Sequence, residues 1–127
     1  MGRTTHPPTV LLVEDEVLIS SLVADSLLEH GFAVHEAMTA DEALRYLDGG
    51  GAVDVLLTDV NLPGGMDGAE LAARVRARRP EVPVIYASGR YGARDLGGLV
   101  PRSVFLEKPY DPEDVCTLLG RLTGTPH

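Results

Sequence analysis

Four short apolar runs of the chain each end in residues that can do chemistry. Glu14, Asp15 and Glu16 follow the run ending at Val13, Asp59 and Asn61 follow the one ending at Thr58, Ser88 follows Ala87, and Glu107 and Lys108 follow Leu106. Brought together, three carboxylates would repel: two like charges about 4 Å apart cost roughly 4 kcal/mol at an effective dielectric near 20. They need a counterion or a proton. Carboxylate oxygens suit a hard cation, and magnesium typically takes one or two protein carboxylates, keeps several waters and adds phosphate oxygens. A lysine in the same cleft supplies a point charge for an anion that the metal also touches. The chemistry implied is the handling of a phosphoryl group beside a magnesium ion.

The elements that must position these residues are legible from the apolar pattern. Thr9 to Val13 is a β-branched run, followed from Val17 to Leu28 by apolar residues at helical spacing, with Ile19, Val23 and Leu27 inward and His30-Gly31 as a helix end. Phe32 to Glu36 is a second strand, and Thr39 with Glu42 three residues on is a capping box for a helix through Leu44 and Leu47. Val53 to Thr58 is a third strand; Asp67 caps a helix carrying Leu71, Ala72 and Val75 that Pro80 ends. Val82 to Ala87 and Ser103 to Leu106 are the fourth and fifth strands, and Asp111-Pro112 opens the last helix, with Val115, Leu118, Leu119 and Leu122 on one face. Between Ser88 and Ser103 the glycines and Pro101 permit only a weak helix. Strands alternating with helix-sized segments predict a parallel sheet covered on both faces, in which ligands bind beyond the carboxyl ends of the strands.

Composition narrows the function classes. At 127 residues the chain makes one domain, ordered over about 9–123, with frayed ends. Eleven Lys plus Arg against 19 Asp plus Glu give a net charge of −8, which argues against DNA and against an anionic membrane as partners. The single cysteine, Cys116, allows no internal disulfide framework and reads as a small core residue. No apolar stretch is long enough to span a bilayer or act as a signal-peptide core, so the expected location is cytoplasmic. The arginines at 74, 76, 78 and 79 read first as a solvated helix face. Gly92 to Gly97 has P-loop spacing, but Gly98-Leu99 stands where Lys and Ser or Thr are required.

In order and spacing, V-L-L-V-E-D-E, L-L-T-D-V-N-L-P, M-D-G, Y-A-S-G and L-E-K-P-Y together resemble the receiver domain of two-component response regulators over nearly the whole chain. The resemblance implies a flavodoxin-like (βα)5 fold, a doubly wound parallel five-stranded sheet of order 2-1-3-4-5 with a weak fourth helix. It implies Asp59 as phosphoacceptor, and Mg²⁺ held by Glu14, Asp15, Asp59 and the backbone carbonyl of Asn61. Ser88 is then the hydroxyl that engages the phosphoryl group, Lys108 its charge partner and Phe105 the aromatic switch, a residue that can signal only through packing. It further implies a cis Lys108-Pro109 bond, where an arbitrary X-Pro bond is cis only about 5% of the time.

The family reading is a stand-alone receiver. It takes a phosphoryl group from a phosphohistidine of a histidine kinase or histidine phosphotransfer protein and signals to an unknown output protein. It is not an enzyme beyond its own phosphorylation and dephosphorylation. Residues 89–101, with Arg90, Tyr91 and Arg94, are the expected switch and partner surface. Two departures stand out: one residue more than the commonest pattern between Pro63 and Met66, and Tyr86-Ala87-Ser88-Gly89, which resembles a subfamily with a Phe-Ala-Thr-Gly signature linked to HWE-type kinases. Two other readings compete: a haloacid-dehalogenase-type hydrolase, which wants an acid where Asn61 stands, and a phosphorylation-independent adaptor, against which the complete acidic, hydroxyl and amine set weighs. Taken alone, Glu14-Asp15-Glu16 is simply the acidic first turn of a helix, favoured by its dipole.

Overall fold

A computed structural model of the chain describes residues 7–88, 100–108 and 110–123. Five parallel strands, β1 (Thr9–Val13), β2 (Ala33–Ala37), β3 (Val55–Asp59), β4 (Val84–Ser88) and β5 (Ser103–Glu107), lie in the order β2-β1-β3-β4-β5. Among the described residues four helices accompany them: α1 (Val17–Glu29), α2 (Ala40–Asp48), α3 (Gly68–Arg78) and α4 (Pro112–Thr123). The expected fold and strand order are both found. The weak helix expected between the fourth and fifth strands, the Arg90, Tyr91 and Arg94 surface and Pro109 lie outside the described residues.

Alternation along the strands sends neighbouring side chains to opposite faces, and each face has its own helical cover. Leu11, Val13, Leu56, Val84 and Tyr86 pack with Leu44 and Leu47 of α2 and Leu71 and Val75 of α3. Val10, Leu12, Val55, Leu57 and Ile85 pack with Val23 and Leu27 of α1 and Val115, Cys116 and Leu119 of α4. Cys116 is a buried core residue, as its sequence context suggested.

Helix starts follow the predicted caps. Thr39 Oγ1 accepts from the Glu42 amide at 3.1 Å and Asp67 Oδ1 from the Glu70 amide at 2.9 Å. Glu42 reaches back one residue further than in a standard capping box, accepting from the Met38 amide at 2.8 Å. Gly31, just past α1, has φ +91°, the left-handed conformation that ends a helix.

Strand ends differ from the sequence expectation. Asp59, Ser88 and Glu107 are the last residues of β3, β4 and β5 and do not follow them, because the ladder continues past the apolar run: Asp59 pairs with Ala87 and Ser88 with Glu107. The arginine run also does more than meet solvent. Arg74 pairs with Glu70 at 2.8 Å and Arg78 with Asp48 at 2.6 Å, while Arg79 donates to the Leu47 carbonyl at 3.2 Å and the Gly51 carbonyl at 2.9 Å. The last two arginines tie α3 to the end of α2.

Candidate functional site

The parallel register converges the polar residues on one edge. Val13 pairs with Thr58, so Glu14 and Asp59, each one residue further along neighbouring strands, stand side by side. The ladder passes into the site as well: the Glu14 amide donates to the Ala37 carbonyl at 3.0 Å and the Lys108 amide to the Ser88 carbonyl at 2.8 Å. Ligand oxygens of Glu14, Asp15 and Asp59 all lie within 4.8 Å of one another, with Glu14 and Asp59 buried and Asp15 more accessible.

Lys108 Nζ bridges this cluster, 2.7 Å from Asp59 Oδ2 and 3.1 Å from Glu14 Oε1. The remaining oxygens of both acids take backbone donors: Asp59 Oδ1 accepts from the Asn61 amide at 3.0 Å and Glu14 Oε2 from the Glu16 amide at 3.1 Å. Burial pushes the Glu14 carboxyl up, and the Glu16 amide and Lys108 offset that rise only in part. Burial works to lower the Lys108 ammonium, but its hydrogen bonds to Asp59 and Glu14 outweigh burial and hold it well above its usual value. The lysine is therefore a fixed cation at neutral pH.

The acidic first-turn reading of residues 14 to 16 fails. Helix α1 begins at Val17, the Glu16 side chain makes no capping bond, and Glu14 turns away from the helix to Lys108.

Ser88 is buried at the end of β4, one position beyond the Ala87 that pairs with Asp59. Phe105 is half-buried on β5, opposite Tyr86 and against the core on the α2/α3 face. Two further residues shape the site without having been singled out. Thr58, fully buried, donates its hydroxyl to the Asp59 carbonyl at 2.9 Å. Gly68, the first residue of α3, lies so near the β3 end that a Cβ there would stand 2.3 Å from the Asp59 carbonyl oxygen. The glycine directly after a helix-capping Asp in M-D-G was the available signal. Tyr110 is partly buried against the α1/α4-side core, and burial next to Glu14 pushes its phenol up to about 12.

The extra loop residue is accommodated by two successive left-handed glycines, Gly64 (φ +93°) and Gly65 (φ +90°), which a side chain would strain. That loop and the start of α2 enclose a groove of about 260 Å³ lined by Thr39, Arg45, Pro63 and Met66 among others.

An all-oxygen set of carboxylates at this spacing fits a hard divalent cation. A buried carboxylate held by a backbone amide and an ammonium, next to such a cation site, can receive and hold an anionic group.

Residues 10–119 match the family described as response regulator receiver domain. The chain is 35% identical over 118 residues to the sensor kinase CckA of Brucella abortus, covering 90% of this chain and 12% of that protein. It is 34% identical over 116 residues to the transcriptional regulatory protein TcrA of Mycobacterium tuberculosis, covering 90% of this chain and 45% of that one. The chain thus spans less than half the length of these relatives. Among solved structures, a response regulator receiver protein from Sinorhizobium medicae superposes with a TM-score of 0.87 at 28% identity, covering 95% of this chain and 98% of that one. The receiver domain of the hybrid histidine kinase CckA does so at 0.76 and 29% identity, covering 91% and 98%. No helix among the described residues is long and apolar enough to cross a membrane. With the family match running from β1 into α4 and the carboxylate edge assembled by that same sheet, the chain belongs to the response regulator receiver domains of two-component signalling.

Proposed function

We propose that Asp59 accepts a phosphoryl group from a phosphohistidine on a histidine kinase or phosphotransfer protein, with Mg²⁺ held by Asp15, Glu14, Asp59 and the Asn61 carbonyl. The observation that carries this reading is the Lys108 ammonium 2.7 Å from Asp59 Oδ2, within a cluster whose third acid, Asp15, is the most accessible. A carboxylate oxygen attacks phosphorus in line, the phosphorus–nitrogen bond of the donor breaks, and the imidazole leaves with a proton. The metal, when bound, offsets charge on the transferring group. Lys108 neutralises the charge that accumulates on Asp59, and the Asn61 amide fixes the carboxylate's orientation. Ser88, buried on the neighbouring strand end, is the hydroxyl placed to engage the phosphoryl oxygens, and Phe105 follows it through packing. The rest of the reading is a signalling role, carried by an output partner that contacts the altered surface. The Tyr86-Ala87-Ser88-Gly89 run makes an HWE-type kinase the first donor to test.

Acetyl phosphate with intact-mass analysis tests the assignment. One phosphoryl adduct is expected in the presence of Mg²⁺, absent from Asp59→Asn and strongly reduced by EDTA. An adduct retained in Asp59→Asn, or undiminished by EDTA, overturns it.

A further inference from the structure

The site lysine stands at the end of an edge strand. Among the described residues β5 has one ladder partner, β4, and its side chains are only half covered. A strand held on one side only depends for its register on that single ladder and on whatever anchors its ends. At the carboxyl end the Lys108 amide bonds the Ser88 carbonyl. At the amino end, residues 100–102 are held by side chains from three directions. The Tyr86 hydroxyl, on the fully buried Tyr86 ring of β4, accepts from the Val100 amide at 3.3 Å. Ser103 Oγ donates to the Val100 carbonyl at 2.7 Å. The Arg76 guanidinium crosses from α3 to donate to the carbonyls of Val82, Pro101 and Arg102, the last at 3.0 Å. Arg102, in the left-handed conformation at φ 54°, reaches the opposite way to the carbonyls of Pro80 and Glu81. Arg76 thus grips the backbone leading into β5 and Arg102 the backbone leading into β4.

We propose that this clasp of Tyr86, Arg76, Arg102 and Ser103 around residues 100–102 positions Lys108 from the far end of β5, setting the reach of its ammonium to Asp59. The hydroxyl on Tyr86 matters because Phe105, its neighbour in register, has none. Tyr86 also lies two residues before Ser88 on the same face of β4, so one clasp indexes both the hydroxyl and the ammonium against Asp59. These are positioning residues, acting on Lys108 through β5, and the inference rests on the reading of Asp59 and Lys108 above.

Lys108 is the only lysine in the chain, so lysine-selective ¹³C,¹⁵N labelling gives a single side-chain signal. Tyr86→Phe and Arg76→Gln are compared with Arg78→Gln, which breaks the Arg78–Asp48 pair at the same helix end and serves as the control. Expected are a displaced Lys108 side-chain resonance and at least tenfold faster exchange of the Val100 amide in Tyr86→Phe, with a displaced resonance in Arg76→Gln and neither change in the control. Acetyl phosphate labelling should slow several-fold in the same two variants. A Lys108 resonance unmoved in Tyr86→Phe and Arg76→Gln, or moved equally in Arg78→Gln, overturns the clasp. The resonance and the exchange rate are read on unphosphorylated protein, so a failure of the phosphoacceptor reading leaves them decisive. Should Arg76→Gln not fold, Tyr86→Phe, which keeps the ring, decides alone.

Discussion

Gly68 shows how little room the Asp59 backbone has. A methyl group there would meet the Asp59 carbonyl at 2.3 Å and the Val60 Cα at 2.9 Å, both backbone atoms that cannot rotate aside. Gly68→Ala should therefore cost about 1–3 kcal/mol, the usual range for overpacking, and slow Asp59 labelling beyond what the lost stability explains. Urea melts paired with acetyl phosphate labelling under folding conditions check both. At the same scale, Tyr86 and Tyr110 carry phenols raised by burial, Tyr110 to about 12. A phenol whose folded pKa lies above its unfolded value favours the neutral form in the folded state. That stability is fully present below the unfolded value near 10 and is lost as pH rises through the folded one. Stability should thus fall steeply from about pH 10 upward, and Tyr110→Phe should flatten that limb while leaving the neutral plateau in place, as equilibrium unfolding across pH would show.

The helices were legible element by element because their signals are local. Thr39, Asp67 and Gly31 each mark an end within a few residues, and all three marks hold. Strand ends were less so. An apolar run stops where chemistry begins, but the backbone ladder carries Asp59 and Ser88 one residue further. Strand order came only through family resemblance, since pairing joins residues distant in sequence; the Lys108–Glu14 contact spans 94 positions. Nor did local pattern reveal that α1 keeps an apolar outer side. Val17, Leu18 and Leu22 are 58%, 80% and 66% exposed, beginning two residues after Asp15. An exposed apolar stripe beside a charged mouth suits a protein donor better than a small one. Leu18→Asp with Leu22→Asp should leave acetyl phosphate labelling near the parent rate and cut transfer from a phosphorylated histidine kinase at least tenfold. Equal loss from both donors would place the effect in the site itself.

For the whole molecule, two cores on opposite faces of one sheet should behave as separate reservoirs of stability. Leu27 of the α1/α4 face and Leu71 of the α2/α3 face are both fully buried, and each truncation to Ala should cost about 2–5 kcal/mol. With the sheet between them the two losses should add to within about 0.5 kcal/mol, a sum that approaches the entire stability of many domains. Chemical denaturation of both single variants and the double variant measures the sum.

The bridge at the sheet edge has a further consequence. Under the proposed function, an acyl phosphate forms within bonding distance of the molecule's one lysine side chain. An activated acyl group beside a free amine closes to an amide, expelling phosphate and welding β3 to β5 for good. Attack needs the nitrogen lone pair, and the anions left around Lys108, the Glu14 carboxylate and the phosphoryl group itself, keep that pair capped by a proton. The same negative charge that draws the ammonium into the site thus protects the signal from becoming an irreversible crosslink.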